Sequence, residues 1–466
     1  RWNDGRQHHS GFNPSDDEHA PLSTRMKPNP TLQTRRQFLR TSALGAAATW
    51  TLPVFIEKTF FALNALAADT LTQVVTGKDD TILVILQLAG GNDGLSTVIP
   101  FADDNYHRVR PKLALPPEKI LKLDSYLGLN PRLVNLKALH DLGELAIVQG
   151  VGYPNPNRSH FRSTEIWQTA SDANQFLGEG WLGRYFDNCC SGADPTVGIA
   201  IGDQLPQAFS ARNPMGVTLS RPDQFRWNAS TGADGKPLTE EEAFYRELIG
   251  AAQENAPTDG NSISSLPGKM GNGASTEDFL RRTALDAQLS SDKILAIARK
   301  YKSNVPYPPG PLGASFNLIA RMIAGGLPTR VYYASQGGFD THAGQIGAHD
   351  QLMRVIDEAT GAFVADLKQQ RNFERVLLMT FSEFGRRVAE NGNSGTDHGT
   401  AAPMFLIGGA VKPGLFGKHP SLIDLDNGDL KFNTDFRSVY ATVLDKWLRA
   451  PSQFVLEKKF STLPIV

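Results

Sequence analysis

Four stretches of this sequence carry cation-binding side chains just beyond strand-like runs. Asp340-Thr341-His342, Glu383 and Asp397-His398-Gly399 lie in the last third, and Gly90-Gly91-Asn92-Asp93-Gly94 follows an earlier run, Thr81 to Ala89. An open α/β sheet gathers side chains from the carboxyl ends of its strands into one crevice. Carboxylates and imidazoles collected there could hold one or two divalent cations near a hydroxyl nucleophile, which is the equipment of a metal-assisted hydrolase or phosphotransferase.

Each candidate has a specific reason. Asp93 is flanked by Gly90, Gly91 and Gly94; glycines remove steric cover and let a carboxylate approach a cation closely, so Asp93 is expected to bridge the metals, with a simple chain reversal as the alternative. Asp340 and His342 stand two residues apart, and in extended backbone such side chains project to the same side. His349, near the start of the next helix, could join them, although Gly344 and Gly347 interrupt helical geometry on the way. Asp397 and His398 are neighbours whose side chains diverge, so each is expected on a different ion, with Glu383 competing for the place of Asp397.

The expected nucleophile is Ser159, in the run Asn155-Pro156-Asn157-Arg158-Ser159-His160-Phe161-Arg162-Ser163 ahead of a helical stretch through Thr169. A hydroxyl at a helix N-terminus gains from the dipole and from free N–H groups that also suit a phosphoryl oxygen, while the competing role is helix capping. Arg158 or Arg162 could clamp an anion. His160 reads as a ligand, an acid/base or a packed core histidine. No His-Glu-x-x-His run, Gly-x-x-x-x-Gly-Lys loop, Gly-x-Ser-x-Gly elbow or Cys/Ser-x-Pro-x-Arg sulfatase motif occurs.

The elements that must position these residues alternate between strand and helix, the pattern of a mainly parallel sheet covered on both faces. Expected strands are Thr81 to Ala89, Leu145 to Gln149, Thr196 to Ile201, Arg330 to Ser335, Arg375 to Phe381 and Met404 to Ile407. Helical patterns cover Pro131 to Leu142, Trp181 to Asn188, Thr276 to Tyr301, Leu312 to Ala324, Ala348 to Gln370 and Thr434 to Arg449. The fold class is therefore α/β, with a mainly parallel central sheet.

The 466 residues suffice for one large domain, and 47 basic against 48 acidic residues give no field that would draw nucleic acid or an anionic membrane. Adjacent Cys189 and Cys190 rarely close a disulfide and read as structural. Thr34-Arg35-Arg36-Gln37-Phe38-Leu39-Arg40, the apolar stretch Ser42 to Ile56 and Ala65-Leu66-Ala67 follow the order of a bacterial twin-arginine export signal. The expected layout is a disordered extension over 1–33, the signal over 34–67, and one domain over 68–466 with a flexible insert at 255–275. Export would involve the twin-arginine translocation machinery and leave a periplasmic or secreted protein without stable membrane insertion.

At these residues the chain resembles the family called domain of unknown function 1501. The resemblance rests on Gly90 to Gly94, Ser159 to Phe161, Phe339 to His342, Ser382 to Arg386 and Thr396 to Gly399. That family is similar to the alkaline phosphatase superfamily, which implies a three-layer α/β/α sandwich and a two-metal site, usually zinc. By the resemblance Asp93 matches the bridging aspartate, Ser159 the nucleophile, Asp340 and His342 the ligands of one ion, and Asp397 and His398 those of the other, with His419 a weak counterpart of a further histidine.

The expected function is hydrolysis of a phosphate or sulfate ester, on a small molecule or carbohydrate, with one or two zinc ions or with magnesium, manganese or calcium in their place. The alternative is a non-catalytic envelope protein that keeps the fold as a binding or assembly module.

Overall fold

A computed structural model describes residues 81–190, 193, 195–212, 216–219, 294 and 296–466. The arginine-rich N-terminal segment, the insert at 255–275 and most of the helix expected over Thr276 to Tyr301 lie outside the described residues.

Among the described residues one sheet dominates. Its strands are β1 (Ile82–Leu88), β2 (Leu145–Gly152), β3 (Gly198–Ile201), β4 (Val217–Leu219), β5 (Val331–Gln336), β6 (Val376–Phe381), β7 (Ala402–Ile407), β8 (Gly414–Phe416) and β9 (Thr434–Asp435). They run in the order β8-β2-β7-β6-β1-β5-β3-β4, with β9 also on β2. The pairings of β7 with β2 and β6 are antiparallel, and the others are parallel.

The central strands read as continuous apolar runs because both faces are covered. Along β1, Ile82, Val84, Leu86 and Leu88 enter one core cluster, and Leu83 and Ile85 enter another. The same alternation splits Tyr332 and Ala334 from Val331 and Tyr333 on β5. Each such fully buried aliphatic side chain contributes about 2 kcal/mol relative to exposure.

Helices α1 (Val134–Asp141), α4 (Pro311–Ala324) and α5 (Gln345–Gln369) cover the first face through residues such as Leu136, Phe316, Ile319, Met353 and Phe363. Helices α2 (His160–Thr169), α3 (Trp181–Cys189) and α6 (Phe436–Thr442) cover the second through Ile166, Trp167, Trp181, Phe186 and Tyr440. The result is the three-layer α/β/α sandwich expected from the sequence. Cys189 and Cys190 form no disulfide. Among the described residues no helix is long and apolar enough to cross a membrane.

Three differences from the sequence reading stand out, and two of them matter for the site. Helix α5 begins at Gln345 rather than Ala348: Gly344 takes the left-handed conformation at its N-cap, φ 54°, and Gly347 is absorbed into the first turn. Strand β2 continues past Gln149 to Gly152, carrying the chain beyond the sheet before it turns into α2. The single helix expected over Thr434 to Arg449 is instead β9, then α6, then a wider turn at Val443–Trp447.

Parallel strands β1, β5 and β6 end at one edge of the sheet, and β2, two places from β6 across antiparallel β7, runs the same way and ends there too. Because β7 runs the other way, the residues that precede it arrive at that same edge. Five chain segments separated in sequence therefore meet at one rim.

Candidate metal centre

The rim is built on hydrogen bonds that tie strand ends together. Ser382 Oγ donates to the Leu88 carbonyl at 2.7 Å and accepts from Asn92 N at 2.8 Å, locking the end of β6 to the end of β1. Gly90 passes so close beneath Phe339 and Asp340 that a Cβ there would lie 2.5 Å from Asp340 N, and its φ of +119° also calls for glycine. Helix α2 is fastened over this junction: Trp167 stacks on Phe381 and Phe436 at 5.4 and 4.3 Å, and Ser163 Oγ bonds the Glu383 carbonyl.

Arg386 is the hub of the rim. Nearly fully buried at 1 % exposure, it donates to the backbone carbonyls of Gly90, Gly91, Phe339 and Thr396 and to Asp340 Oδ1 at 2.7 Å. An isolated bridge pairs Arg386 with His398, and Gly385 and Gly399 exchange a backbone bond of 2.9 Å beside it. Thus the segment ahead of β7 is held as a strip along the end of β6. Asn391 shapes the loop between them, donating to the His342 carbonyl and to Asp397 Oδ1, both at 3.0 Å.

On this frame Asp340 receives imidazoles from three directions. His398 Nε2 is 3.0 Å and His342 Nε2 3.1 Å from its Oδ1, and His160 Nε2 is 3.5 Å from its Oδ2. His160, Asp340 and His398 offer ligand atoms that all lie within 4.8 Å of one another. His342 Nε2 lies outside that group of three but beside it, 2.9 Å from His398 Nε2.

The far nitrogen of each ring is already committed. Nδ1 of His160 meets Glu383 Oε1 at 2.8 Å, Nδ1 of His342 meets Asp397 Oδ1 at 3.2 Å, and Nδ1 of His398 meets the Arg158 carbonyl at 2.8 Å. A backbone carbonyl only accepts, and so does an ionised carboxylate, so every Nδ1 carries a hydrogen and donates it. The three Nε2 atoms are left turned toward Asp340, and that of His160 is buried without any hydrogen-bond partner among the described residues. Oxygen-backed imidazoles with the opposite nitrogen free form the usual surroundings of a protein-bound transition metal. Three nitrogens and one carboxylate suit zinc among the first-row divalent ions and suit calcium or magnesium poorly. The side chains of Asp340 and His342 are 48 % and 42 % exposed, so the cluster opens to solvent as a reactive site does rather than a structural one.

Asp340 is electrostatically prepared. Partial burial alone would raise its pKa, but the hydrogen bond and the charge of Arg386 outweigh that and hold it down at about 2. The Asp397 carboxyl is lowered as well, first through the hydrogen bond from Asn391.

The sequence-based assignments sort into those that meet here and those that do not. Asp340, His342 and His398 converge. Asp340 and His342 do so through two successive tight turns, Thr341 N to Phe339 O at 2.8 Å and His342 N to Asp340 O at 3.2 Å, rather than the extended backbone expected. His160 joins them as a fourth donor. Glu383 and Asp397, expected as ligands, meet the Nδ1 atoms of His160 and His342 on the side away from Asp340.

Asp93, expected to bridge the metals, lies apart from this cluster. Its carboxylate is 1 % exposed and filled by Arg110, at 2.6 and 3.0 Å, by Ser96 Oγ at 2.7 Å and by Gln345. Burial alone would raise its pKa, but the Arg110 charge and hydrogen bonds outweigh that and hold it at about 2. Its oxygens are taken up by this internal network, and among the described residues the one group spaced for a metal is that of His160, Asp340 and His398. Asn92 and His349 are buried beside it, with His349 Nε2 3.3 Å from Asn92 Oδ1, so His349 belongs to that packing and not to the centre.

Arg158 pairs with buried Asp429, and Arg162 Nη2 donates to the carbonyls of Asp172, Ala173 and Gln175; neither is placed as an anion clamp. His419 packs edge-on against Tyr126 at 5.7 Å, with no contact to the cluster. Ser159 occupies the N-cap of α2, immediately before His160, and its side chain makes no capping hydrogen bond. The hydroxyl is exposed and uncommitted, so the capping alternative fails.

Sequence reasoning named neither Arg386 nor Arg110 as structural keys. Arg386 closes the Ser382 to Arg386 segment quoted above, but nothing local shows what either arginine holds, because their partners lie up to 296 positions away for Arg386 and 278 for Arg110.

Comparison with known proteins adds context. No curated protein matches the chain. Among solved structures it is similar to a protein in the alkaline phosphatase superfamily from Vibrio parahaemolyticus, with 10% identity, 79% of this chain and 72% of that chain covered, and a TM-score of 0.30. It is similar also to the zinc complex of the C-terminal periplasmic domain of EcEptC from Escherichia coli, with 11% identity, 72% and 74% coverage and a TM-score of 0.32. A third is the phosphonate monoester hydrolase SpPMH from Silicibacter pomeroyi, with 12% identity, 83% and 78% coverage and a TM-score of 0.30. The segment from 146 to 446, which carries every histidine and carboxylate of the centre, matches the family described as "Protein of unknown function (DUF1501)", and the chain belongs to that family.

Proposed function

We propose that this chain is an exported, metal-dependent hydrolase of phosphate or sulfate esters with an alkaline phosphatase-like domain. One divalent cation, zinc in the first instance, would be held by His160, Asp340, His342 and His398, with Ser159 as nucleophile. The observation that carries this reading is the set of three imidazoles, each with Nδ1 bonded to an oxygen acceptor and Nε2 turned toward the Asp340 carboxylate.

A cation bound there would supply positive charge against the oxygens of a transferring phosphoryl or sulfuryl group. The chain supplies the rest. Ser159 precedes His160, so its free hydroxyl stands one residue from the cluster. The N–H groups in the first turn of α2 lack intrahelical partners and can donate to an anionic oxygen. Arg386 fixes Asp340 through Oδ1. Buried Glu383 holds the His160 ring, and buried Phe384 packs against His160 and His398 at 4.9 and 4.6 Å, which limits how far either imidazole can swing. The substrate would be a small-molecule or carbohydrate ester, and the twin-arginine machinery the export partner.

Metal content of the purified protein and its activity on aryl phosphate and aryl sulfate test this. The expected result is close to one zinc per chain, lost in His398→Ala, with Ser159→Ala retaining the zinc and losing turnover. A folded, metal-free protein inactive on both esters would overturn the reading in favour of a binding or assembly module.

A further inference from the structure

His398 differs from the other two histidines of the centre in what holds its back. His160 and His342 lean on carboxylates, whereas His398 Nδ1 donates to the main-chain oxygen of Arg158 at 2.8 Å. A backbone carbonyl orients a ring only as well as its own peptide is held. The peptide in question belongs to the irregular segment between β2 and α2, where no sheet or helix ladder fixes it.

The anchor is Asp429. Its side chain is completely buried, and the guanidinium of Arg158 reaches it in a close ion pair. Asp429 opens the second arm of a small hairpin, Leu425–Asp426 against Asp429–Leu430, which turns through Asn427 and Gly428 at φ 51° and 87°. The next residue of that arm, Leu430, accepts the Thr400 hydroxyl through its carbonyl, two positions after His398. Arg387, which pairs with the same strip through Asp397, has Nε 3.8 Å from the other oxygen of Asp429. The hairpin thus grips the His398 strip on one side and the Arg158 segment on the other, and the two meet at the His398 to Arg158 hydrogen bond.

We infer that Asp429 is a positioning residue for the metal centre, acting through Arg158 to hold the carbonyl that orients His398. This rests on the metal reading of the site given above. An unpaired buried carboxylate costs several kcal/mol, so an acid at this place retains its guanidinium partner whenever the chain is folded. Removing it frees Arg158, loosens the carbonyl and lets the imidazole turn its Nε2 away from Asp340. Loss of a comparable orienting partner weakens metal affinity by about 10- to 100-fold.

The experiment is zinc affinity by competition with a chromophoric chelator on full-length wild type, Asp429→Asn, Asp429→Ala, His398→Ala and the double variant Asp429→Ala/His398→Ala, with circular dichroism confirming that each is folded. The expected result is a loss of about 10-fold or more in Asp429→Ala and a smaller loss in Asp429→Asn, which keeps an oxygen toward Arg158. In the His398→Ala background, Asp429→Ala should weaken zinc binding little further, because the two residues act on one ligand. Equal further losses in both backgrounds would overturn the inference, since a merely structural role adds independently. Unchanged affinity in folded Asp429→Ala would overturn it as well. Zinc binding that is equal in wild type and His398→Ala would instead remove the metal reading itself, and this inference with it. Should Asp429→Ala fail to fold, the comparison moves to Arg158→Lys and Arg158→Gln in the same two backgrounds, where the same pattern of coupled loss is expected and additive loss is again fatal.

Discussion

His342 Nε2 and His398 Nε2 face each other at 2.9 Å although each ring has committed its Nδ1 hydrogen to an oxygen behind it. Two lone pairs pointed at each other, with the Asp340 oxygen beside them, form an arrangement that a shared cation relieves. Zinc should therefore stabilise the folded protein: at a free concentration one hundred times Kd the gain is about 2.7 kcal/mol. In a domain of this size that appears as a rise of several degrees in melting temperature. Differential scanning fluorimetry after chelation and after zinc replenishment checks it. His398→Ala should show no such rise, and a wild-type melt indifferent to zinc would rule out the centre.

Asp93 and Arg110 make the opposite prediction. Because their ion pair is internal, Asp93→Asn should retain the zinc content of the wild type, whereas a bridging ligand would forfeit it. Stability is where the pair acts. The folded carboxyl titrates at about 2, below its ordinary 3.8, so its contribution is complete above pH 4 and disappears as pH falls through 2. The amount at stake is roughly 2 kcal/mol. Urea unfolding of the wild type should weaken over that window, with the slope reduced in Asp93→Asn. Asp93→Ala strands the fully buried Arg110 guanidinium and should cost about 3 to 5 kcal/mol.

His419 adds a second, separable acid sensitivity. Burial drives its pKa from the ordinary 6.5 to about 4, so the folded state keeps the ring neutral where the unfolded chain would protonate it. Its contribution is present above pH 6.5 and is lost as pH falls toward 4. The window lies above that of Asp93, so the two resolve in one titration. His419→Phe should flatten the pH 4 to 6.5 segment of a stability profile and leave the lower one intact; an unchanged slope there would show that the ring titrates normally.

Which parts of this architecture could be read from the sequence follows from how local their causes are. The strands of the sheet centre were legible because burial on both faces writes itself as unbroken apolar runs such as Ile82 to Leu86. Asp340 and His342 were legible as candidates because residues beyond the ends of parallel strands share one rim whatever the loops between them do. The sense of β7 was not legible: nothing in Ala402–Ile407 records its direction, yet that direction brings His398 to the rim. Nor could sequence separate ligands from their supports. A carboxylate after a strand looks the same whether it meets a cation, as proposed for Asp340, an imidazole, as Glu383 does, or an arginine, as Asp93 does. Those fates are decided by contacts across hundreds of positions. Glycine was ambiguous too, for Gly347 breaks a pattern on paper and sits inside α5 in the fold.

Glu383 tests the distinction between ligand and support directly. Its Oε1 accepts from His160 Nδ1 and from Gly90 N, both at 2.8 Å, and the side chain is 2 % exposed. A charged acceptor behind the ring strengthens the opposite nitrogen as a donor to metal. Glu383→Gln keeps the shape and an oxygen that can accept both hydrogen bonds but removes the charge. Zinc affinity should fall by about 10- to 100-fold while stoichiometry at saturating zinc stays that of the wild type. A true ligand would behave differently, since its loss changes the coordination itself and with it the ligand field. Cobalt substitution reads this out: the visible spectrum of the cobalt-loaded Glu383→Gln variant should match the wild type in band position, whereas that of His160→Ala should not. Should the Glu383→Gln spectrum shift as far as that of His160→Ala, Glu383 is a ligand after all, and the single cluster described above has the wrong members.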